Sequence, residues 1–155
     1  MPDLTVDFII SLDGYASAEG WPGWWGLEGP EYLAWLVEAP ERDDPIIMGA
    51  NTYRLMSEFA AAESEGVESL NDLRKIVFSS TLAAPLQWAN SELVRGDAVE
   101  AVRDLKRTTS LRTLGSISVC RSLLTAGLVD RFRVVVFPSS PAPPARSGST
   151  TDTRM

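Results

Sequence analysis

Residues 45–53 read P-I-I-M-G-A-N-T-Y. Ile46, Ile47 and Met48 form an apolar run too short for a helix, bounded by Pro45 and Gly49, as in a strand buried on both faces. Beyond Gly49 the apolar residues change spacing. Tyr53, Leu55, Met56 and Phe59 recur at helical intervals, so a helix follows, with Asn51 or Thr52 as its cap. A buried strand that turns into a helix through a glycine is the building unit of an α/β sheet with parallel crossovers.

The flanking sequence repeats that unit. Leu4 to Leu12, L-T-V-D-F-I-I-S-L, reads as a central strand closed by the turn pair Asp13-Gly14. Pro30 suits the first turn of a helix continuing as E-Y-L-A-W-L-V-E-A, with Leu33, Leu36 and Val37 on one face and Pro40 as its stop. Residues 60–71 read as an acidic, small-residue linker. Arg74 to Phe78, Glu92 to Val94, Arg112 to Leu114 and Phe132 to Phe137 read as further strands. Asp97 caps a helix bearing Val99, Val102 and Leu105, and a last helix runs from Ser118 to Gly127 with Leu123 and Leu124 inward.

The 155 residues suffice for one domain. They contain no histidine and one cysteine, Cys120. This excludes a Ser-His-Asp or Cys-His nucleophile pair, an internal disulfide and a thiolate metal cage. Cys120 reads as a buried helix residue. Any chemistry must come from carboxylates, hydroxyls, backbone amides and a bound cofactor.

A net charge of −7 disfavours nucleic acid as a partner. The charge is uneven: residues 1–70 hold 14 acids and 2 bases, and residues 71–155 hold 7 acids and 12 bases. A solvated surface accounts for such polarity, and so would a basic half that faces an anionic ligand. No apolar run approaches a membrane span, and Met1 to Thr5 lacks the features of a signal peptide, so a cytoplasmic location without a membrane partner is expected.

Three corners put small or hydroxyl residues where a strand ends: Gly49-Ala50-Asn51-Thr52, Ser79-Ser80-Thr81 and Gly115-Ser116-Ile117-Ser118. Helix N-termini with free N–H groups hold phosphates, and missing side chains let a phosphate approach. Each corner alone could be an ordinary capped helix. Together they point to a dinucleotide at the carboxyl ends of the strands. The Gly-x-Gly-x-x-Gly fingerprint is absent, which argues against a standard Rossmann domain. Asp13 could anchor a substrate or relay a proton, or simply form the Asp-Gly turn. Trp21, Trp24 and Trp25 could stack on a flat heterocycle, or pack their loop onto Tyr32 and Trp35.

These motifs, in this order, resemble a known family. P-E-Y-L-A-W-L followed by P-I-I-M-G-x-x-T-Y is similar to a helix and strand of the dihydrofolate reductase-like fold, and K-I-V-F-S-S to its next strand. S-L-D-G-Y and L-G-S-x-S…L-L-x-x-G-L-V-D-x-F resemble the branch containing the riboflavin-biosynthesis reductase domain and its stand-alone bacterial relatives. The resemblance spans Val6 to Pro138.

It implies an α/β, dihydrofolate reductase-like three-layer fold with a mainly parallel mixed sheet and helices on both faces. It implies an NADPH-dependent reductase acting on a small polar heterocyclic or ribosylamino-pyrimidine-like molecule. Without the family's terminal strands, the Phe132–Phe137 strand would expose an apolar edge, from which low stability, aggregation or pairing with another chain, as in a homodimer, is expected. Gly49, Asn51, Thr52, Gly115, Ser116, Ile117 and Ser118 would then serve the pyrophosphate and nicotinamide arm. Ser79, Ser80 and Thr81 would lie at the adenosine end. Asp13 would be catalytic, with Trp25 and Tyr32 on the substrate, and no metal is implied.

Several departures qualify the resemblance. The acid of true dihydrofolate reductases is replaced by Tyr32, with Glu31 one place earlier; one residue turns a helical side chain by about 100°, which disfavours folate reduction. The corner after Met48 lacks an arginine for a 2′-phosphate. The zinc ligands of the bifunctional enzyme's deaminase half are absent. After Phe137-Pro138 the expected V-x-x-G-x-x-G is replaced by other sequence, and Pro138 to Met155 holds four of the ten prolines.

Residues 139–155 are therefore expected to be a disordered tail behind a domain of residues 1–138 that lacks its last strands. Codons for Ser-Ser-Pro-Ala-Pro-Pro-Ala, read one nucleotide earlier, permit Val-Ile-Thr-Gly-Ala-Thr-Gly. This suggests a frameshift near Pro138, which sequencing of the gene would test: an early stop or unrelated residues in the shifted frame would reject it. The alternative readings are a catalytically impaired nucleotide-binding protein and, more weakly, a true dihydrofolate reductase.

Overall fold

The computed structural model describes residues 1–17, 29–63, 67–137 and 153–154. The described elements are β1 (Leu4–Ser11), β2 (Tyr15–Ser17), α1 (Pro30–Glu38), β3 (Ile46–Gly49), α2 (Ala50–Ala61), β4 (Lys75–Phe78), β5 (Ser91–Val94), α3 (Ala98–Leu105), β6 (Leu111–Thr113), α4 (Ile117–Thr125), β7 (Arg131–Phe137) and β8 (Thr153–Arg154). Six strands form one sheet in the order β5-β4-β3-β6-β1-β7. The pairs β5/β4, β4/β3, β3/β6 and β6/β1 are parallel. This is the mainly parallel α/β sheet expected from the alternation of short apolar runs with helical spacing. The chain divides into two compact units, and β1 and β7 contribute residues to both.

The first unit comprises Met1–Val6 and Pro40–Phe132, and its layering follows from strand periodicity. Successive side chains of a strand point to opposite faces. Ile46, Met48 and Val77 accordingly pack with Tyr53 and Met56 of α2, Val67, Leu70 and Trp88. Ile47, Ile76 and Phe78 pack with Leu4, Leu111, Val102 of α3 and Leu123 of α4. Because β3 and β4 are covered on both sides, all eight of their residues are buried.

The segment expected as a bare acidic linker includes a 3₁₀ turn, Glu68–Leu70, and buries Val67 and Leu70. Lys75 holds this turn in place. It is fully buried, and its Nζ donates to the carbonyls of Leu70 at 2.6 Å, Leu73 at 2.7 Å and Asn71 at 3.2 Å. It also lies 4.5 Å from the Trp88 ring centroid, a cation–π distance. Burial pushes its pKa down to about 8, against a smaller upward pull from Asp72.

Helix ends follow capping chemistry, with two corrections. Asp97 caps α3, its Oδ1 accepting from Val99 N at 2.7 Å and Glu100 N at 3.0 Å. Gly127, at φ +66°, closes α4 as expected. Leu128 N donates to Leu123 O, and Gly127 N to Leu124 O, the double bond of a Schellman end. Leu124, expected inward, is exposed beside the buried Leu123. The cap of α2 is the extended Gly49 rather than Asn51 or Thr52, because the chain turns into the helix directly from the last strand residue.

The second unit comprises Asp7–Ala39 and Arg133–Met155. Here α1 buries none of its residues, and Leu33 and Val37 of the expected inner face are 48% and 61% exposed. Its order rests on aromatic and charged contacts. Tyr32 stacks on Trp35 at 5.8 Å and meets the edge of Phe137 at 6.1 Å. Arg133 makes a bidentate pair with Asp7 at 2.5 and 2.6 Å, and its guanidinium carbon lies 4.8 Å from the Trp35 ring. Thr153–Arg154 pairs antiparallel with β2; the rest of the tail lies outside the described residues.

Candidate functional site

The corners after β3, β4 and β6 all lie at carboxyl ends of neighbouring parallel strands. Between β3 and β6 the chain order reverses. The connection from β3 moves outward through α2 to β4, whereas β6 is followed by α4, which packs on the opposite face. Such a switch point leaves a crevice beyond the strand ends, where α/β sheets bind ligands.

One hydroxyl joins two of these corners. Ser116 Oγ accepts from Gly49 N at 2.6 Å and donates to Thr52 Oγ1 at 2.8 Å. The approach leaves little spare room at Gly49. A Cβ on Gly49 would lie 3.3 Å from Ser116 Oγ, and one on Gly115 would lie 3.4 Å from Thr52 Oγ1. Gly115 and Ser116 both have positive φ, +58° and +66°, which is natural for glycine and uncommon for serine. The turn is held by Cys120, buried as expected, whose Sγ contacts Gly115 O at 3.1 Å and whose N donates to Ser116 O. Ile117 opens α4 half-buried, and Ser118 is exposed.

The third corner connects through a residue that the sequence did not single out. Ser79 Oγ accepts from Thr81 N at 3.1 Å and Leu82 N at 3.0 Å, folding residues 79–82 into a turn with Ser80 and Thr81 exposed. Arg54, one turn into α2, donates to Asn51 Oδ1 at 3.1 Å and Thr81 Oγ1 at 3.3 Å. Arg95 donates to Ser80 O at 3.1 Å and Leu82 O at 2.8 Å. Sequence spacing misses Arg54 because it stands as one basic residue on a helix, 27 positions from Thr81.

These corners offer hydroxyls, amides and guanidinium groups and no carboxylate, which suits a polyanionic nucleotide. A separate cavity of about 240 Å³ is lined by Ala60, Glu63, Val67, Glu68 and Asn71; its two carboxylates would repel a phosphate.

In the second unit Asp13 is exposed at the end of β1. Ser11 Oγ donates to its Oδ1 and accepts from Tyr15 N at 2.9 Å. Gly14 N donates to Ser11 O at 2.9 Å, with Gly14 at φ +89°. Asp13 therefore does form the Asp-Gly turn, exposed at the strand end with its Oδ1 accepting from Ser11. Tyr32 is half-buried in its aromatic stack. Trp21, Trp24 and Trp25 lie outside the described residues. Among those residues no group of three or more His, Cys, Asp or Glu could hold a metal, and no helix is long and apolar enough to cross a membrane.

A family model for the RibD C-terminal domain matches residues 2–140. The chain belongs to the RibD C-terminal domain family. Three solved structures share its fold. A Shewanella protein assigned to riboflavin biosynthesis is 22% identical with a TM-score of 0.64, covering 95% of this chain and 86% of that one. A pyrimidine reductase-like protein from Corynebacterium diphtheriae is 16% identical with a TM-score of 0.58, covering 92% and 77%. A Thermotoga maritima diaminohydroxyphosphoribosylaminopyrimidine deaminase/5-amino-6-(5-phosphoribosylamino)uracil reductase is 17% identical with a TM-score of 0.59, covering 90% of this chain but only 45% of that one. Among curated proteins no sequence match is found. This RibD C-terminal domain thus has the dihydrofolate reductase-like fold expected from its motifs.

Proposed function

We propose that this RibD C-terminal domain is a reductase that uses NADPH and acts on a small polar heterocycle of the ribosylamino-pyrimidine class in the cytoplasm. The observation that carries the reading is the corner pair Gly49–Thr52 and Gly115–Ser118, joined through Ser116 Oγ at the switch point of the sheet. Membership of the family supports the reaction class.

NADPH supplies the hydride when bound. The residues of this chain bind and orient it. Asn51, Thr52 and the amide groups at the starts of α2 and α4 take the pyrophosphate. Ser80 and Thr81, exposed on their turn, take the adenosine end. Asp13 provides the carboxylate that positions a polar group of the substrate or carries its proton, and Trp25 and Tyr32 provide flat apolar surface. Tyr32 stands where a folate reductase would place its acid, and Glu31 is exposed one position away, which favours the pyrimidine reading over folate.

The test is titration of the full chain with NADPH, followed through its tryptophan fluorescence, and NADPH consumption with 5-amino-6-(5-phosphoribosylamino)uracil. Saturable quenching with turnover is expected. Quenching without turnover would leave a nucleotide-binding protein, and no quenching would reject the reading. Asp13→Asn should lower kcat by roughly 100-fold or more while NADPH affinity stays within about twofold; unchanged kcat would remove Asp13 from catalysis.

A second copy of the chain is the proposed macromolecular partner. Among the described residues β7 ends the strand order of the sheet, and Val134 and Val136 alternate outward on it, 39% and 48% exposed. A strand that ends a sheet and carries exposed apolar side chains invites pairing with another chain.

A further inference from the structure

We propose that Ser116 is a positioning residue: its hydroxyl fixes the polarity of Thr52, making that side chain a dedicated hydrogen-bond donor for an oxyanion. The inference rests on the reductase reading above. It adds how a residue that acts through another sets what Thr52 can bind.

The direction of each proton follows from the geometry. At the end of the β3/β6 pair, Leu114 N donates to Ile47 O at 3.1 Å. Two residues along β3, Gly49 N goes to Ser116 Oγ at 2.6 Å, so a side-chain oxygen continues the ladder. A backbone amide can only donate, and the serine oxygen must therefore accept from it. The single hydroxyl proton of Ser116 goes on to Thr52 Oγ1 at 2.8 Å. Thr52 Oγ1 receives that proton and keeps its own, for which no protein acceptor is found among the described residues. Without the Gly49 bond the pair could run the other way, with Thr52 donating to Ser116. The corner would then offer a lone pair in place of a proton.

Ser116 forgoes two ordinary preferences to make this arrangement. A serine at a helix start usually caps its own helix, yet neither α2 nor α4 has a side-chain cap. Its backbone adopts φ +66° and ψ +71°, a left-handed conformation uncommon for a residue with a Cβ. Such a conformation persists where the surroundings fix it. Here Cys120 N donates to Ser116 O at 3.0 Å, and Cys120 Sγ contacts Gly115 O at 3.1 Å. The turned backbone and the withheld cap aim one oxygen at the facing corner. An ionised phosphate oxygen only accepts hydrogen bonds, so it matches a hydroxyl of fixed donor polarity. Bonds to a charged acceptor are also stronger than neutral ones, and a donor oriented beforehand loses less freedom on binding.

The experiment measures NADPH binding to the full chain by isothermal titration calorimetry, and displacement of NADPH by inorganic pyrophosphate. The unmodified protein is compared with Ser116→Gly, Ser116→Ala, Thr52→Val and the double variant Ser116→Gly/Thr52→Val, and thermal unfolding of each is recorded. Glycine adopts the left-handed turn readily, so Ser116→Gly removes the hydroxyl and keeps the backbone. It should unfold at a higher temperature than Ser116→Ala, yet both should bind NADPH and pyrophosphate more weakly by roughly tenfold, the scale of one hydrogen bond to a charged group. Thr52→Val should lose a similar factor. The double variant should stay within about twofold of Thr52→Val, because the two hydroxyls act as a unit.

Unchanged NADPH affinity in Ser116→Gly would overturn the relay and leave the reductase reading standing, because the serine would then serve only the turn. Losses that multiply in the double variant would also overturn it, and so would a loss for NADPH that spares pyrophosphate. Failure of the unmodified chain to bind NADPH would reject the reductase reading, and the relay with it.

Discussion

The two compact units spend similar apolar sequence differently. In the first, β3 and β4 carry I-I-M-G and K-I-V-F, and every residue is buried because helices or turns cover both faces. In the second, α1 carries P-E-Y-L-A-W-L-V-E and buries nothing, and the β7 residues Val134 and Val136 are exposed. Hydrophobic periodicity says which side of an element is apolar; it does not say that another element lies against it. The second unit relies more on pairwise contacts, such as Asp7 with Arg133 and Arg133 with Trp35.

This contrast has measurable consequences. Ile47→Ala removes a fully buried side chain of the first unit and should cost about 2–5 kcal/mol in denaturant unfolding. Leu33→Ala in the second unit, where the side chain is 48% exposed, should cost no more than about 0.5 kcal/mol. Equal losses would erase the distinction between the units. A double-mutant cycle on Asp7→Ala and Arg133→Ala should give a coupling of roughly 0.5–3 kcal/mol, as for residues in direct contact. No measurable coupling would mean that the bidentate geometry contributes nothing to stability. Val134→Lys should change stability least and association most. Size-exclusion chromatography should show a dimer for the unmodified chain and a monomer for the variant. A monomeric unmodified chain would refute the proposed self-association.

Much of the candidate site can be read directly because its residue types carry their geometry with them. Gly49 suits a tight contact with Ser116, Gly115 suits its positive φ, and the hydroxyls of Ser79 and Ser116 bond to nearby backbone or to a facing corner. The capping of α3 by Asp97 and the closure of α4 at Gly127 are equally local. Arg54 is not legible in this way. Its meaning depends on Thr81 arriving beside it at the end of the neighbouring strand, and a helical arginine gives no signal of that. Lys75 is similar: it looks like the polar edge of a strand, yet three carbonyls of the preceding turn receive its ammonium group.

The succession of the six strands of the main sheet and the four helices, the three corners of small and hydroxyl residues and the absence of histidine chemistry follow from the sequence by itself. They depend on local backbone preference, side-chain periodicity and composition, which neighbours along the chain determine. Tertiary structure alone decided that Ser116 bridges Gly49 and Thr52, that Arg54 and Arg95 meet one turn, and that Leu123 is buried while Leu124 is not. Those outcomes depend on which strands lie side by side and which face each helix covers, and contacts between residues far apart in sequence determine both.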